Sequence, residues 1–313
     1  LKYISHTKKI IIQKNSVVVI GNFDGVHLGH QKLFETANKN RGNLQVLALS
    51  FYPHPTWVLN NEQKAIITPT KDKIKIIENF RVDIFIDYPF TLELANMNAY
   101  EFFTRILIQD LKAKIIVVGE DYRFGKNRQA GTNELRIMCQ QHSIKLYVIE
   151  KFELDNETIS STKIRQYLIE GNLEKVNNLL GYTYQITGEV IKGQQIGRTI
   201  GFKTANISTK PGVIYPKNGV YATKVKVYNK EFLAITNIGY NPTVDGKVKV
   251  IESNIFNFNQ DIYNQEIEVN FFTFIRSEKK FSSLNELKIQ ITIDKEKTIS
   301  YFTTFFGCDI LIK

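Results

Sequence analysis

Cysteine is nearly absent. Cys139 and Cys308 are the only two among 313 residues, and neither their number nor their spacing supports a disulfide framework or a zinc site. Histidine is scarce too: there are five, none of them after His142. Long apolar runs are missing, since nothing approaches the ~20 residues a helix needs to cross a bilayer. The opening stretch LKYISHTKKIIIQKN lacks the basic start, apolar centre and small-residue cleavage site of a secretory leader. No repeat or low-complexity segment interrupts the chain. These gaps point to a soluble, cytoplasmic protein with no membrane partner.

What is present is ordinary core material. Apolar residues make up 43% of the sequence, enough to fill two domains. The net charge of +10 is spread evenly: 24 basic and 19 acidic residues precede residue 183, and 17 and 12 follow it. An even spread argues against the basic tail or stripe of a nucleic-acid binder. It reads as a lysine-rich solvated surface, or as a general field that attracts anionic substrates.

The pattern changes partway along. Before about residue 150, short β-branched runs (SVVVIG, LQVLALSF, RVDIFID, KIIVVGE, IKLYVIE) alternate with helical stretches such as TPTKDKIKIIENF and NAYEFFTRILIQDLK. Five buried-looking strands separated by helices predict a doubly wound parallel sheet of the α/β class. Ligands bind such sheets at the carboxyl ends of strands, near the switch in strand order. From Ser160 to Gly181 the sequence predicts two helices joined at Gly171. Beyond Tyr182, alternating segments divided by Gly, Asn and Asp turns predict an antiparallel barrel or sandwich, closed by a helix in SSLNELKIQITIDKEKTISYF. The expected domains are 1–182 and 183–313.

The stretch VVVIGNFDGVHLGHQKLF holds two of the five histidines. A strand ends at Gly21, the chain turns through NFDG, and a helix follows with His27 and His30 on one face of its first turn. Free N–H groups and the helix dipole favour a phosphate there, and Gly21, Gly25 and Gly29 let backbone approach a ligand. The imidazoles need not titrate, because their use is to stabilise charge developing on phosphate. Alternatively, Asp24 caps the helix and the histidines are incidental. EDYRFGKNR places Asp121, Arg123, Lys126 and Arg128 on a strand-end loop. ISSTKIR places hydroxyls at a helix start with Lys163 and Arg165 in the first turn, the end where the dipole disfavours cations; phosphate contact explains them.

Without histidine, the second half needs a carboxylate or water to accept a proton. Alternation in KVKVIESNIF puts Val248, Val250, Glu252, Asn254 and Phe256 on one face, which makes Glu252 a candidate for a partly buried general base of raised proton affinity. GEVIKGQQIGRTIGFKTANI predicts a mobile loop of Gly188, Gly193, Gly197 and Gly201 that closes over phosphates. Thr204 and Asn206 offer hard oxygens suited to Mg²⁺ held jointly with ATP.

GNFDGVHLGHQ resembles the first motif of bacterial bifunctional riboflavin kinase/FAD synthetases, a form of the H-x-G-H motif of nucleotidyltransferases. SFYPHPTWVL, with His54 and Pro55, VVGEDYRFGKNRQAGT and ISSTKIR follow in the family's order. GRTIGFKTAN, NIGYNPT and IRSEKKFSSLNELKIQI are similar to the riboflavin kinase half. The resemblance spans nearly the whole chain. It implies a Rossmann-like sheet followed by a Greek-key β-barrel with a terminal helix, and synthesis of FMN and then FAD from riboflavin and ATP with Mg²⁺. In the first half it implies ATP contacts from Gly21, Asn22, Phe23, Asp24, His27, His30, Asp121, Ser161, Thr162 and Arg165. In the second it implies ATP or flavin contacts from Gly193, Gly197, Arg198, Gly201, Thr204 and Asn206, with Thr204 and Asn206 on Mg²⁺ and Glu252 as base. No nucleic acid is expected, and the chain should act as a monomer or weak homo-oligomer.

Three positions depart from the family pattern. Lys203 stands where the family has proline, whose loss should loosen the strand presenting Thr204 and Asn206. Asn254 replaces a frequent histidine and Asn264 a frequent glycine. The Lys203 departure leaves an alternative: an FMN adenylyltransferase whose impaired kinase domain only binds flavin.

Overall fold

The computed structural model describes residues 1–7, 10, 12–60, 65–193, 202–243 and 246–307. The chain divides into two compact units, Leu1–Ser161 and Thr162–Lys313.

In the first unit the strands are β1 (Lys2–Ser5), β2 (Ser16–Ile20), β3 (Gln45–Tyr52), β4 (Ile84–Pro89), β5 (Ala113–Gly119) and β6 (Lys145–Ile149). They form one all-parallel sheet in the order β1-β4-β3-β2-β5-β6. β2 is central, and its β-branched run Val17, Val18 and Val19 is fully buried, as a strand covered on both faces requires. From β2 the chain winds outward through β3 and β4, then returns to β5 on the other side of β2. The switch in strand order therefore lies between β2 and β5.

Helices α1 (Leu28–Asn40), α2 (Pro55–Asn60), α3 (Thr70–Glu78), α4 (Leu92–Ala95), α5 (Ala99–Glu101) and α6 (Thr132–Gln141) fill the connections. α1 buries Leu33, Phe34 and Ala37. The helix expected after Asn98 starts there, with the Asn98 side chain accepting from Glu101 N. It then widens into a π-helix over Phe102–Asp110 that buries Phe102, Phe103, Ile106 and Leu107. These pack with Leu47, Leu49, Ile116 and Val118 and with Leu135 and Cys139 of α6, so Cys139 serves as a small apolar core residue. The edge strand β1 was not expected; it pairs with β4 from Lys2–Ile84 to Ser5–Asp87.

A short antiparallel hairpin of β7 (Glu153–Leu154) and β8 (Glu157–Thr158) comes next, and α7 (Ser161–Glu170) and α8 (Leu173–Leu180) follow, parted at Gly171, whose φ is +82°. α8 docks on the second unit's sheet: Asn177 Nδ2 donates to Phe271 O and Asn177 Oδ1 accepts from Tyr184 N. That sheet comprises β9 (Gln185–Ile191), β10 (Ala205–Ile207), β11 (Gly219–Val227), β12 (Lys230–Thr243), β13 (Gly246–Ile255) and β14 (Glu266–Arg276). They close into an antiparallel barrel, β10-β13-β12-β11-β14-β9. β14 returns to lie beside β11, the first of three hairpin-joined strands, which is a Greek key. The barrel, rather than a sandwich, leaves no open edge.

Inside it, Thr223 Oγ1, Thr236 Oγ1 and Ser253 Oγ form a hydrogen-bonded chain across β11, β12 and β13, each link 2.8 Å, and all three residues are fully buried. Outside, α9 (Leu284–Phe306) covers Val220, Ala222, Leu233, Ile235 and Phe256 through Phe302. It is fastened by Arg276, whose Nε donates to both oxygens of the buried Asp294 at 3.0 and 2.9 Å.

Candidate active sites

The strand-turn-helix after β2 ends at the switch point. Its turn is tightly wound: Phe23, Gly25 and Val26 have φ of 51°, 82° and 40°. Gly25 takes this conformation at no steric cost, whereas the β-branched Val26 is strained by it, the kind of strain that persists where function demands a particular turn. The N-cap of α1 is His27, not Asp24: His27 Nδ1 accepts from His30 N at 3.4 Å. That bond leaves the proton of the neutral ring on Nε2. The His27 and His30 rings stack with centroids 3.7 Å apart and planes 18° from parallel. His30 Nδ1 is enclosed and has no partner.

Burial pushes the pKa of His27 down to about 4. Burial first, then the neighbouring His27 and Lys73, hold His30 well below the usual imidazole range. Both rings are therefore neutral at pH 7, and they offer N–H donors at the helix N-terminus without a net charge.

Asp24 is buried, and its Oδ1 accepts from the N–H groups of Ile67 and Thr68 at 2.9 and 3.2 Å. The carboxylate thus fastens the turn to the segment before α3. Asn22 is exposed, with Nδ2 3.0 Å from His54 Nε2, which places the second motif beside the first. Ser161 Oγ donates to Asp24 O at 2.8 Å; Thr162 and Arg165 follow Ser161 in the sequence of α7. Asp121 is exposed just beyond β5, the strand beside β2.

Sequence reasoning missed Lys73. Its Nζ donates to Asn22 O at 3.2 Å and sits 5.9 Å from the Phe85 ring centroid. The signal was a lysine in the first turn of α3, where the helix dipole disfavours cations.

In the barrel, β10, β13 and β12 bring Asn206, Glu252 and Asn237 into one transverse row. The alternation expected for β13 holds, but its core-facing residues are Ile251, Ser253 and Ile255. Glu252 shares the outer face with Asn254, and its cross-strand neighbours are amides. It is partly buried, and burial raises its pKa. Asn206 is buried, and a Cβ on Gly193 would fall 2.3–2.5 Å from its side-chain atoms. The absence of a side chain at Gly193 makes room for that amide.

Gly188 does not belong to the loop. It lies within β9 opposite Ile267, where a Cβ would meet Ile207 Cγ2 at 2.5 Å. Gly197, Arg198 and Gly201 lie outside the described residues. A cavity of about 180 Å³ opens beside Thr204, walled by Lys203, Ile255, Phe258, Asp261 and Tyr263 among others. Asn254 Nδ2 donates to Lys203 O at 2.8 Å.

Comparison with known proteins matches each half separately. Residues 9–163 match the family model described as FAD synthetase, and residues 180–302 match that of riboflavin kinase. The chain is 39% identical to the bifunctional riboflavin kinase/FMN adenylyltransferase of Buchnera aphidicola subsp. Schizaphis graminum over 96% of this chain and 98% of that protein. It is 38% identical to the Bacillus subtilis protein of the same description, again over 96% and 98%. A crystal structure described as a macrolide-efflux protein from Streptococcus pneumoniae superposes with a TM-score of 0.88 at 33% identity, covering 96% of this chain and 99% of that one. Among the described residues no helix is long and apolar enough to cross a membrane.

Proposed function

Because the chain belongs to the bifunctional riboflavin kinase/FMN adenylyltransferase family, we propose that residues 1–182 form the adenylyltransferase and residues 183–313 the kinase, each working at the site built by its own residues. The first span includes α7 because that helix carries Thr162 and Arg165. The chain converts riboflavin and ATP to FMN and ADP, then FMN and ATP to FAD and pyrophosphate. Both family models match, so an adenylyltransferase with a merely flavin-binding second half is not favoured.

The stacked imidazoles at the start of α1, with His30 Nδ1 enclosed and unpaired, carry the reading of the first site. An oxygen of the FMN phosphate attacks the α-phosphorus of ATP, and the bond to the β-phosphate bridging oxygen breaks. The nucleophile is already an anion at pH 7, so no base is required. His27 and His30 donate to the charge that develops on the α-phosphate, and stabilisation of this kind by preorganised donors is worth most in a partly dry site. Gly21, Asn22 and Phe23 bring backbone to the nucleotide, and Asp24 holds the turn in shape. Ser161, Thr162 and Arg165 hold the triphosphate, and Asp121 contacts the nucleoside.

In the second site Glu252 takes the proton of the ribityl hydroxyl as its oxygen attacks the γ-phosphorus and ADP departs. Burial raises its proton affinity, which suits it to that work. The hydroxyl of Thr204 and the amide oxygen of Asn206, beside Glu252, form a set of hard oxygen donors that fits Mg²⁺. Those residues would hold the ion with ATP, where it neutralises phosphate charge. By the resemblance, Gly193, Gly197, Arg198 and Gly201 contact ATP or flavin. The chain acts in the cytoplasm as a monomer or weak homo-oligomer on small molecules, without nucleic acid; the evenly distributed charge supports the last point.

Chromatography of products from riboflavin, ATP and Mg²⁺ over time tests both sites. FMN should appear first and FAD after it. Glu252→Ala should stop FMN formation yet still convert added FMN to FAD, and His30→Ala should accumulate FMN. FMN made by Glu252→Ala would sink the kinase assignment, and FAD made by His30→Ala the other.

A further inference from the structure

The two imidazoles at the turn after β2 are neutral, so they cannot supply the full positive charge that a triphosphate and a flavin phosphate call for. Lys73 supplies it. Lys73 is half-buried as a residue, and its ammonium donates to the Asn22 carbonyl at 3.2 Å in an exposed contact beside the turn. Its field is felt at the His30 ring. Among the described residues it makes no ion pair; its other neighbour is the Phe85 ring. A lysine has three donors, and one carbonyl uses one of them. The side chain is also locally misplaced as a structural element, since a cation in the first turn of α3 opposes the helix dipole. Asp24 then fixes α3 to the turn through Ile67 and Thr68, so the ammonium is held at a set place relative to His27 and His30.

Resting on the adenylyl-transfer reading of this site, we propose that Lys73 is a further catalytic residue, whose ammonium contacts the anionic phosphate oxygens at the His27–His30 turn. It contributes permanent charge, and the histidines contribute oriented N–H groups. Bound phosphate supplies the counter-charge that the protein withholds.

The test uses the full chain, with FMN formation from riboflavin as an internal control. Lys73→Met should lower kcat/KM for FAD formation from FMN and ATP by 30-fold or more and raise the KM for ATP, while FMN formation stays within twofold. Lys73→Arg should keep FAD formation within tenfold of wild type. His30→Ala is run alongside: if it leaves FAD formation intact, the reading of the site itself fails. If His30→Ala abolishes FAD formation while Lys73→Met changes it by less than threefold, the Lys73 proposal fails alone.

A measurement on the unaltered chain covers the case in which Lys73→Met does not fold. Inorganic pyrophosphate with Mg²⁺ should protect Lys73 from acetic anhydride at least threefold, read by peptide mass spectrometry against the exposed Lys71 and Lys75. Equal labelling of Lys73 with and without pyrophosphate would overturn the proposal.

Discussion

Asn254 and Lys203 are joined: the Asn254 amide donates to the Lys203 carbonyl at 2.8 Å. Both are positions that the sequence resemblance reads as departures from the family's pattern, and they meet one residue before Thr204. The proline at this position would limit backbone freedom through its ring; here a side-chain hydrogen bond from the neighbouring strand β13 restrains the same residue. Asn254→Ala should therefore raise the KM for ATP in FMN formation roughly fivefold, as expected for loss of a hydrogen bond worth about 1 kcal/mol. In a Lys203→Pro background the same change should cost less, because the ring already restrains the strand. Kinetics of the four proteins in this double-mutant cycle check it, and strict additivity would refute the coupling.

The two activities should part company in acid. Burial raises the Glu252 pKa above the ordinary 4.5, and as the proposed base it would work only when deprotonated. As pH falls through that raised value, FMN formation should decline tenfold per unit, with a midpoint above that of a free carboxyl. FAD formation from added FMN involves no such base and should not share the limb. A pH profile of each half-reaction on one preparation decides this.

Stability should also depend on pH through His27. Unfolded, its imidazole binds a proton at about 6.5; folded, at about 4. Below 6.5 the unfolded chain takes up a proton that the folded chain refuses. The contribution is complete above 6.5, is lost as pH falls, and levels off below about 4, amounting to about 3 kcal/mol. His27→Gln should flatten the fall in urea midpoint between pH 7.5 and 4.5 relative to wild type.

The anchor of α9 offers a test on stability. Asp294 is 1% exposed and takes the Arg276 fork together with Gln290 Nε2 at 3.0 Å. Asp294→Ala leaves a largely buried guanidinium unpaired, and should cost about 3 kcal/mol, seen as a drop in thermal midpoint. Replacing both Asp294 and Arg276 with apolar residues should recover much of that loss.

Local features of this fold were legible because they are written in neighbouring residues. The β-branched run at Val17–Val19, the turn at Gly25 and the apolar face of α1 predict a strand, a turn and a helix without reference to anything distant. β1 was not legible: its residues are exposed or only partly buried, and pairing with β4, some 80 positions away, is what makes it a strand. The π-helical stretch at Phe102–Asp110 is set by how Phe102 and Phe103 reach the sheet core, which periodicity alone does not show. In the sequence Asp24 has the look of a cap or a ligand contact, because its partners, Ile67 and Thr68, stand over 40 residues downstream. Asn264 has a local reason after all. Its φ is +60°, the left-handed region where glycine is at ease and asparagine is the best-tolerated replacement.

The buried hydroxyls of Thr223, Thr236 and Ser253 have an effect on the opposite side of the barrel wall. Side chains alternate across a strand, so sliding β13 by one residue against β12 would turn Glu252 into the dry interior and send Ile251 or Ser253 outward. The link from Thr236 to Ser253 can form only in the native alignment. These interior pegs thus decide which way the proposed base faces, although no substrate could ever touch them.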